Sequence, residues 1–534
     1  MVIKKERFLI HAVILAVAGF VSRALGLLYA VPLYHIIGEE GNGYYGTAYE
    51  IYNMLLLITA YSMPMAISKI MSVYVAEKDY VNCKRLFRTC LFYVIVVGGI
   101  GAIVTYIFAD SFVIVPAALS LRVMAPTIFF SGLLSVLRGY TQAHNTMVPT
   151  ALSQIVEQIF NAICSIIFAY VLVGYATDNK TVNLPPTAYG AMGSALGTLI
   201  GVLVALTFMI IYIMLTRKSR KMLYQKNTSP DVVDSRNKPK EPEPYFTLFR
   251  VIFVYASPII LTSFLYNLCT TLDMKIFWDW ALDNGYSQET AARVFGIFSR
   301  QYLVLINVPI TIASAISSSM VPGLSVAFSS EDMTEVKFRI SKAVRTVVLF
   351  AVPSVVGLSV LAKPIMQLLF KGTNDAASDA LILGSISVLF FSVGTVLTSG
   401  LQTMGKSFIA IKNVARALII HILYLVGMLK LSGSIMGILV TGSVLYSMVM
   451  CFANIKSMEK IFDCKLRLIS VMGKPVLASL LMALVAAIGV KVLDSWGFNN
   501  FWSVLITIVV SILVYFMMFY FNRDYKDKGI FYNL

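Results

Sequence analysis

Apolar residues in this chain do not alternate in the period of a strand, nor do they keep to one face of a helix. They come in runs of roughly 20 or more, the length needed to cross a bilayer as a helix at about 1.5 Å per residue. Such runs lie at about 8–33, 44–66, 86–108, 112–138, 150–174, 188–215, 246–272, 292–316, 343–362, 378–401, 408–429, 433–454, 471–491 and 499–521. The pattern predicts an all-α polytopic membrane protein with about fourteen transmembrane helices. The first run follows Lys4, Lys5 and Arg7, like the start of a signal peptide. It continues to about Leu33 and contains Arg23, which is too long and too polar for a cleaved leader, so it reads as a retained span.

Composition supports this reading. Of 534 residues, 58% are hydrophobic and 13% charged, about half the charged share of a soluble domain. Mean hydropathy is +0.79. The net charge of +16 would suggest nucleic acid in a soluble protein, but here the basic residues sit between apolar runs. With the N-terminus placed in the cytoplasm, the inner segments hold 32 of the 43 Lys and Arg, the outer segments seven, and the spans four. One missed helix would invert every later loop, so the asymmetry supports the span order and places both termini inside. The six cysteines form no Cys-x-x-Cys pair, and the scattered His11, His35, His144 and His421 show no metal-ligand spacing. The absence of a Walker-type loop argues against an ATPase, and a non-enzymatic role is expected. The glycine-rich GEEGNGYYG at 38–46 reads as an outer turn.

Residues 216–245 form the one long polar linker, rich in charge and proline and expected to be disordered in the cytoplasm. Its basic half has the charge to touch anionic lipid headgroups, but a solvated tether is the simpler account. The linker divides the chain into similar parts. NMLLLITAYSMPMAISKIMSVYVAEKD in the second span is matched by NVPITIASAISSSMVPGLSVAFSSED in the eighth. FFSGLLSVLRGYTQAHN in the fourth is matched by FFSVGTVLTSGLQTMGK in the tenth. An even offset of six spans keeps both copies in one orientation. This predicts two six-helix lobes, 1–215 and 246–454, in a parallel pseudo-twofold repeat about the membrane normal, with two extra spans and a cytoplasmic tail in 455–534.

Ionisable residues within spans cost roughly 2.5–3.5 kcal/mol each on insertion scales, so each requires a partner. Arg23, Arg122, Arg300 and Arg416 are such residues. A cavity holding an anionic headgroup accounts for Arg23 and Arg300 slightly better than structural pairing, because the planar guanidinium matches phosphate. The two readings are even for Arg122, and snorkelling to the inner surface is favoured for Arg416. In the fifth span Gln154, Glu157, Gln158, Asn161 and Ser165 share one helical face, which either lines the substrate path or joins helices. Glu50 and Asn53 form a shorter polar face in the second span. Asp273 and Lys275 read as a surface pair closing the seventh.

The segment RVMAPTIFFSGLLSVLRGYTQAHNTMVPTALSQIVEQ, Arg122 to Gln158, resembles the signature of the stage V sporulation protein B branch of oligosaccharide flippases. That branch belongs to the multidrug/oligosaccharidyl-lipid/polysaccharide exporter superfamily. SRALG at 22–26 is similar to the S-R-x-L-G of its first span, and LQTMGK at 401–406 to its second-lobe L-Q-G-x-G-K. The resemblance covers nearly the whole chain. It implies a two-lobed fold that moves an undecaprenyl-linked saccharide, a lipid II-like precursor or a polysaccharide repeat unit, from the inner to the outer leaflet by alternating access. It also carries Arg23 over as a cavity residue. The chain departs from the Gram-negative-type lipid II flippase pattern: Tyr29 and Ala30 stand where an Arg-Asp pair follows S-R-x-L-G, and Met54 to Leu57 where basic residues follow the Asn of the second span.

The candidate substrate-binding set is therefore Arg23, Arg300, Arg122, Glu50, Asn53, Glu157, Gln158 and Asn161. The expected partners are a lipid-linked oligosaccharide and membrane lipids, with no nucleic acid and a monomeric state. No cofactor is expected beyond coupling to the membrane potential or a monovalent cation. The rival readings are a cation-coupled drug exporter, which would want a carboxylate deep in the first span, and a glycosyltransferase, which would want paired carboxylates on long outer loops. A non-catalytic scaffold for wall assembly is the third.

Overall fold

The computed structural model describes residues 2–61, 63–77, 79–144, 146–179, 183–226, 242–373, 375–431, 434–521 and 530–532. Contacts divide the chain into two compact units, residues 1–37 with 47–267, and residues 38–46 with 268–534.

The first unit begins with α1 (Val2–Leu56), broken at Gly38, whose φ of 66° lies in the left-handed region. Only glycine adopts that conformation at little cost, so two helices meet there. A π-helical turn at Leu57–Tyr61 leads into α2 (Met63–Ala76). Then come α3 (Tyr80–Ile107), the single turn α4 (Ala109–Phe112), α5 (Val115–Ala143), α6 (Val148–Asp178), α7 (Pro186–Lys226) and α8 (Tyr245–Asp283), whose residues up to Asn267 belong to this unit. Local sequence explains the boundaries. Asp79 caps α3 by accepting from the Asn82 amide at 3.1 Å, and Pro116 and Pro149 occupy the first turns of α5 and α6, where a missing N–H costs nothing.

The core of this unit packs Met63, Ile67 and Met71 of α2 against Leu86, Cys90 and Val94 of α3 and Val136 of α5. Glu243, just before α8, is tied to the same place: its amide donates to Asn82 Oδ1 at 2.8 Å, Arg85 donates to its carbonyl at 2.9 Å, and Tyr74 donates to its carboxylate at 2.9 Å. The expected disordered linker is corrected at its start, because α7 continues as a helix to Lys226; residues 227–241 lie outside the described residues.

In the second unit, residues 38–46 belong with α9 (Gln288–Gly296), a π-helical segment Ile297–Tyr302 and α10 (Leu303–Ser329). The turn expected at 38–46 is helical after Gly38. Its small residues serve close packing: a Cβ on Gly43 would meet the Ala292 carbonyl oxygen at 1.9 Å. There follow α11 (Met333–Val360), α12 (Ala362–Leu369), α13 (Asp375–Gly384), α14 (Ser387–Thr403), α15 (Ser407–Lys430), α16 (Ile435–Phe462), α17 (Ile469–Ser495) and α18 (Asn500–Phe521). Asp332 caps α11 by accepting from the Glu335 amide at 3.0 Å. Strands of two residues each, Lys465–Leu466 and Phe531–Tyr532, pair antiparallel. The Tyr515 hydroxyl of α18 donates to the Leu349 carbonyl of α11 at 2.7 Å.

This is an all-α, multi-pass membrane fold. Eleven helices among the described residues are long and apolar enough to cross a bilayer, or twelve if α13 and α14, bent by 43°, form one span. That count does not reach the expected fourteen. Two helices that meet at Gly38 are counted there as one, and the apolar start of α8, Tyr245–Val254, is shorter than that length and lies outside the count. No disulfide joins the six cysteines.

Candidate functional site

In the first unit the polar face of α6 is engaged by neighbouring helices. Arg138 of α5 donates to Ser153 Oγ at 2.9 Å and to Glu157 Oε2 at 2.7 Å, with side-chain exposures of 14% and 22% for the Arg138–Glu157 pair. One turn further, buried Asn161 accepts from Ser165 Oγ at 3.0 Å and from Thr198 Oγ1 of α7 at 3.3 Å. The close approach of α6 and α7 rests on a glycine stripe. A Cβ on Gly193, Gly197 or Gly201 would lie 2.5, 2.2 or 2.6 Å from atoms of α6. Small residues at such spacing let helix backbones touch, and the polar groups between them then bond across the seam. Of the two sequence readings of this face, joining helices describes Glu157 and Asn161. Gln158 is half-buried beside them.

The other candidates of this unit are dispersed. Asn53 of α1 donates to Asn267 of α8 at 3.3 Å, and Glu50 one turn earlier is half-buried. Arg23 is exposed on α1. Arg122 pairs with Asp110 of α4, with side-chain exposures of 36% and 50%. Arg416, in the second unit, is exposed on α15.

In that second unit Arg300 lies within the π-helical segment Ile297–Tyr302. Such a segment adds one residue to a turn, re-aims the side chains around it and is frequent at functional sites. Here three consecutive side chains take separate partners. The Arg300 guanidinium stacks over the Tyr45 ring, 4.6 Å from its centre. Gln301 is buried and shares Thr373 with Glu39: the Thr373 hydroxyl lies 3.0 Å from Gln301 Oε1 and 2.9 Å from Glu39 Oε1. Tyr302 is fully buried and its hydroxyl lies 3.0 Å from Ser443 Oγ. Gly46 approaches the same turn, since a Cβ there would meet Ser299 Oγ at 2.4 Å. A guanidinium stacked on an aromatic face still donates through its in-plane N–H edge, the edge that matches phosphate.

A second polar centre of this unit was misread from sequence. Asp273 does not pair with Lys275 at a surface. Lys275 pairs with Asp279 at 2.9 Å, whereas Asp273 is buried and bonds His421 of α15. The signal available was two ionisable residues in two spans, but nothing in the sequence links positions 148 apart. Cys269, Asp273 and His421 bring potential ligand atoms within 4.8 Å of one another. His421 Nε2 and Asp273 Oδ1 are, however, in direct hydrogen-bond contact, whereas two ligands of one tetrahedral zinc stand ~3.3 Å apart.

The sequence model of the polysaccharide biosynthesis protein family matches residues 9–328, more than half of the chain. The chain belongs to this family. The model of the lipid II flippase MurJ family matches residues 302–516. Among relatives, the chain is similar to the lipid II flippase MurJ of Bacillus subtilis (strain 168), 23% identical over 459 residues, covering 82% of this chain and 81% of that one. It is also similar to stage V sporulation protein B of the same organism, 26% identical over 426 residues, 77% and 75% of the two chains. Among solved structures, the inward closed conformation of a lipid II flippase MurJ matches with a TM-score of 0.65 at 18% identity over 96% of this chain and 99% of that one. An inward-facing multidrug resistance MATE transporter matches with 0.64 at 14% identity over 85% and 98%. At these identities the structures establish the shared fold of this membrane family. The resemblance read from Arg122 to Gln158 led to the same family.

Proposed function

We propose that this chain is a flippase that carries an undecaprenyl-linked saccharide, lipid II or a polysaccharide repeat unit, from the inner to the outer leaflet by alternating access. It works as a monomer with both termini in the cytoplasm and makes or breaks no covalent bond. The observation that carries the reading is Arg300: a cation placed within a span, on a π-helical turn, with its guanidinium over the Tyr45 ring. A fixed guanidinium suits a pyrophosphate that must be held while the lipid tail remains in the bilayer. The names of the relatives, a lipid II flippase and a sporulation protein, support the substrate class. The MATE likeness supports fold alone and carries no argument for a drug substrate.

The test is flipping of labelled lipid II by purified protein in vesicles, measured beside the melting temperature. Arg300→Lys keeps the charge but loses the fork, so flipping falls roughly tenfold, the equivalent of ~1.4 kcal/mol, with folding retained. Arg300→Ala falls further. Wild-type flipping by a stable Arg300→Ala protein would remove this residue from the substrate site. In cells, depletion of the chain should accumulate the lipid-linked precursor at the inner leaflet, and its identity names the saccharide.

A further inference from the structure

The tight seam between α6 and α7 opens at one end into a cleft. Where the helices touch, α7 presents Gly193, Gly197 and Gly201, and buried Ala205 follows one turn later. The next turns bring Phe208 and Tyr212, bulky side chains that hold backbones apart where glycines let them meet. The start of α6 lies opposite. Val148, Pro149 and Leu152, with Thr146 of the preceding turn, complete the wall of a cleft of about 110 Å³. One water needs only about 10–15 Å³ of such space, so the cleft takes a segment of chain several atoms long.

The walls and the surroundings name the occupant. The Thr146 hydroxyl is committed to the Thr141 carbonyl at 2.9 Å, so this wall offers an apolar surface. Val148 and Leu152 are 42% and 47% exposed, and the exposed Ile159, Ile163 and Ile167 continue the apolar strip along α6. On a membrane-spanning helix such a strip meets acyl chains, so the occupant comes from the bilayer. The headgroup is read from α7. Its apolar span ends at Thr216, yet the helix continues to Lys226. Five of its last ten residues are basic, Arg217, Lys218, Arg220, Lys221 and Lys226, and α7 contains no Asp or Glu. At 1.5 Å per residue, Arg217 to Lys221 occupy the ~6–8 Å of helix beyond the span, the depth of a headgroup layer of about 5–7 Å. Four or more basic residues directly beside a span attract anionic lipid.

We propose that the cleft between α6 and α7 binds one anionic glycerophospholipid, with an acyl chain between Leu152 and the Phe208–Tyr212 turn and the phosphate beside the basic end of α7. The lipid fills the gap left where the glycine seam ends and braces the two helices at the end where they part. A soluble anion lacks the chain and a zwitterionic lipid lacks the net charge, so the two halves of the site together select this class. The site belongs wholly to the first unit, apart from Arg300, and does not rest on the flippase reading.

Photolabelling of the purified full-length protein in detergent micelles tests the site. The probe is phosphatidylglycerol with a diazirine on its acyl chain. Label should appear on peptides covering 146–152 and 208–212. Unlabelled phosphatidylglycerol should displace it at least about fivefold better than phosphatidylcholine, the factor that one engaged basic residue gives. Label at Ile163 and Ile167, further along the same face, is the control, and there the two competitors should act alike. Replacing Arg217, Lys218, Arg220 and Lys221 together by Gln should bring the competitors level at the cleft. Leu152→Trp, at a position exposed enough to accept bulk, should clear the label from 208–212 with the melting temperature unchanged. Equal competition by the two lipids at the wild-type cleft overturns the proposal, as does a preference that survives the fourfold Gln variant or label that persists in Leu152→Trp. Displacement by lipid II but not by phosphatidylglycerol also overturns it, and makes the cleft a substrate site.

Discussion

Gly197 offers the sharpest test of how the first unit is held together. Its position on α7 faces Ser165 of α6 so closely that an added Cβ would lie 2.2 Å from the Ser165 hydroxyl and 2.3 Å from its backbone nitrogen. Ordinary van der Waals contact begins at 3.4 Å, so the two helices must part by about 1.1 Å to admit one methyl group. The obstacle is backbone, and no rotamer change relieves it. Overpacking of this kind costs about 1–3 kcal/mol. The separation also breaks the Thr198–Asn161 hydrogen bond, already 3.3 Å long, for a further ~0.6 kcal/mol. Against this, Ala gains ~1 kcal/mol of helix propensity over Gly. Gly197→Ala should therefore destabilise the purified protein by roughly 0.6–2.6 kcal/mol. Gly174→Ala is the control: it lies on α6 with nothing within 4 Å of the added Cβ, so it should be neutral or stabilising. The assay is thermal or denaturant unfolding in detergent followed by far-UV circular dichroism, since all four tryptophans lie in the second unit. Equal melting of Gly197→Ala and wild type, or an equal loss in Gly174→Ala, would refute the close-packing argument.

The Arg138–Glu157 pair gives a second test: Arg138→Met strands a mostly buried carboxylate and should cost roughly 3–5 kcal/mol, while the double variant with Glu157→Met should recover most of it. Unfolding midpoints of the two single variants and the double variant decide this, and additive losses would sink it. For topology, Glu331→Cys in the turn between α10 and α11 should resist an impermeant thiol reagent in intact cells, and Asn284→Cys between α8 and α9 should react. The reverse pattern inverts the proposed orientation. Native background should be low, because five of the six cysteines are buried.

The sequence by itself determined the class of molecule. Runs of 20 or more apolar residues can satisfy their backbone in a bilayer only as helices, so the all-α membrane fold follows from composition and run length. It also marked the residues that carry a cost. Arg23, Arg122, Arg300, Glu157 and Asn161 stand out because a polar group in a span needs a partner, and that need is local. The identity of each partner is not local. Glu157 meets Arg138, and Asn161 meets Thr198, only because Gly193, Gly197 and Gly201 bring two helix backbones into contact. The turn expected at residues 38–46 is confined to Gly38 and helix follows it: Gly43 and Gly46 are small to let α9 and the π-helical segment approach. The π-helical offset at Arg300 and the meeting of Asp273 with His421 were likewise decided by tertiary packing. A π-helical turn has no composition of its own, and two side chains 148 positions apart meet only when α8, α15 and α16 pack together.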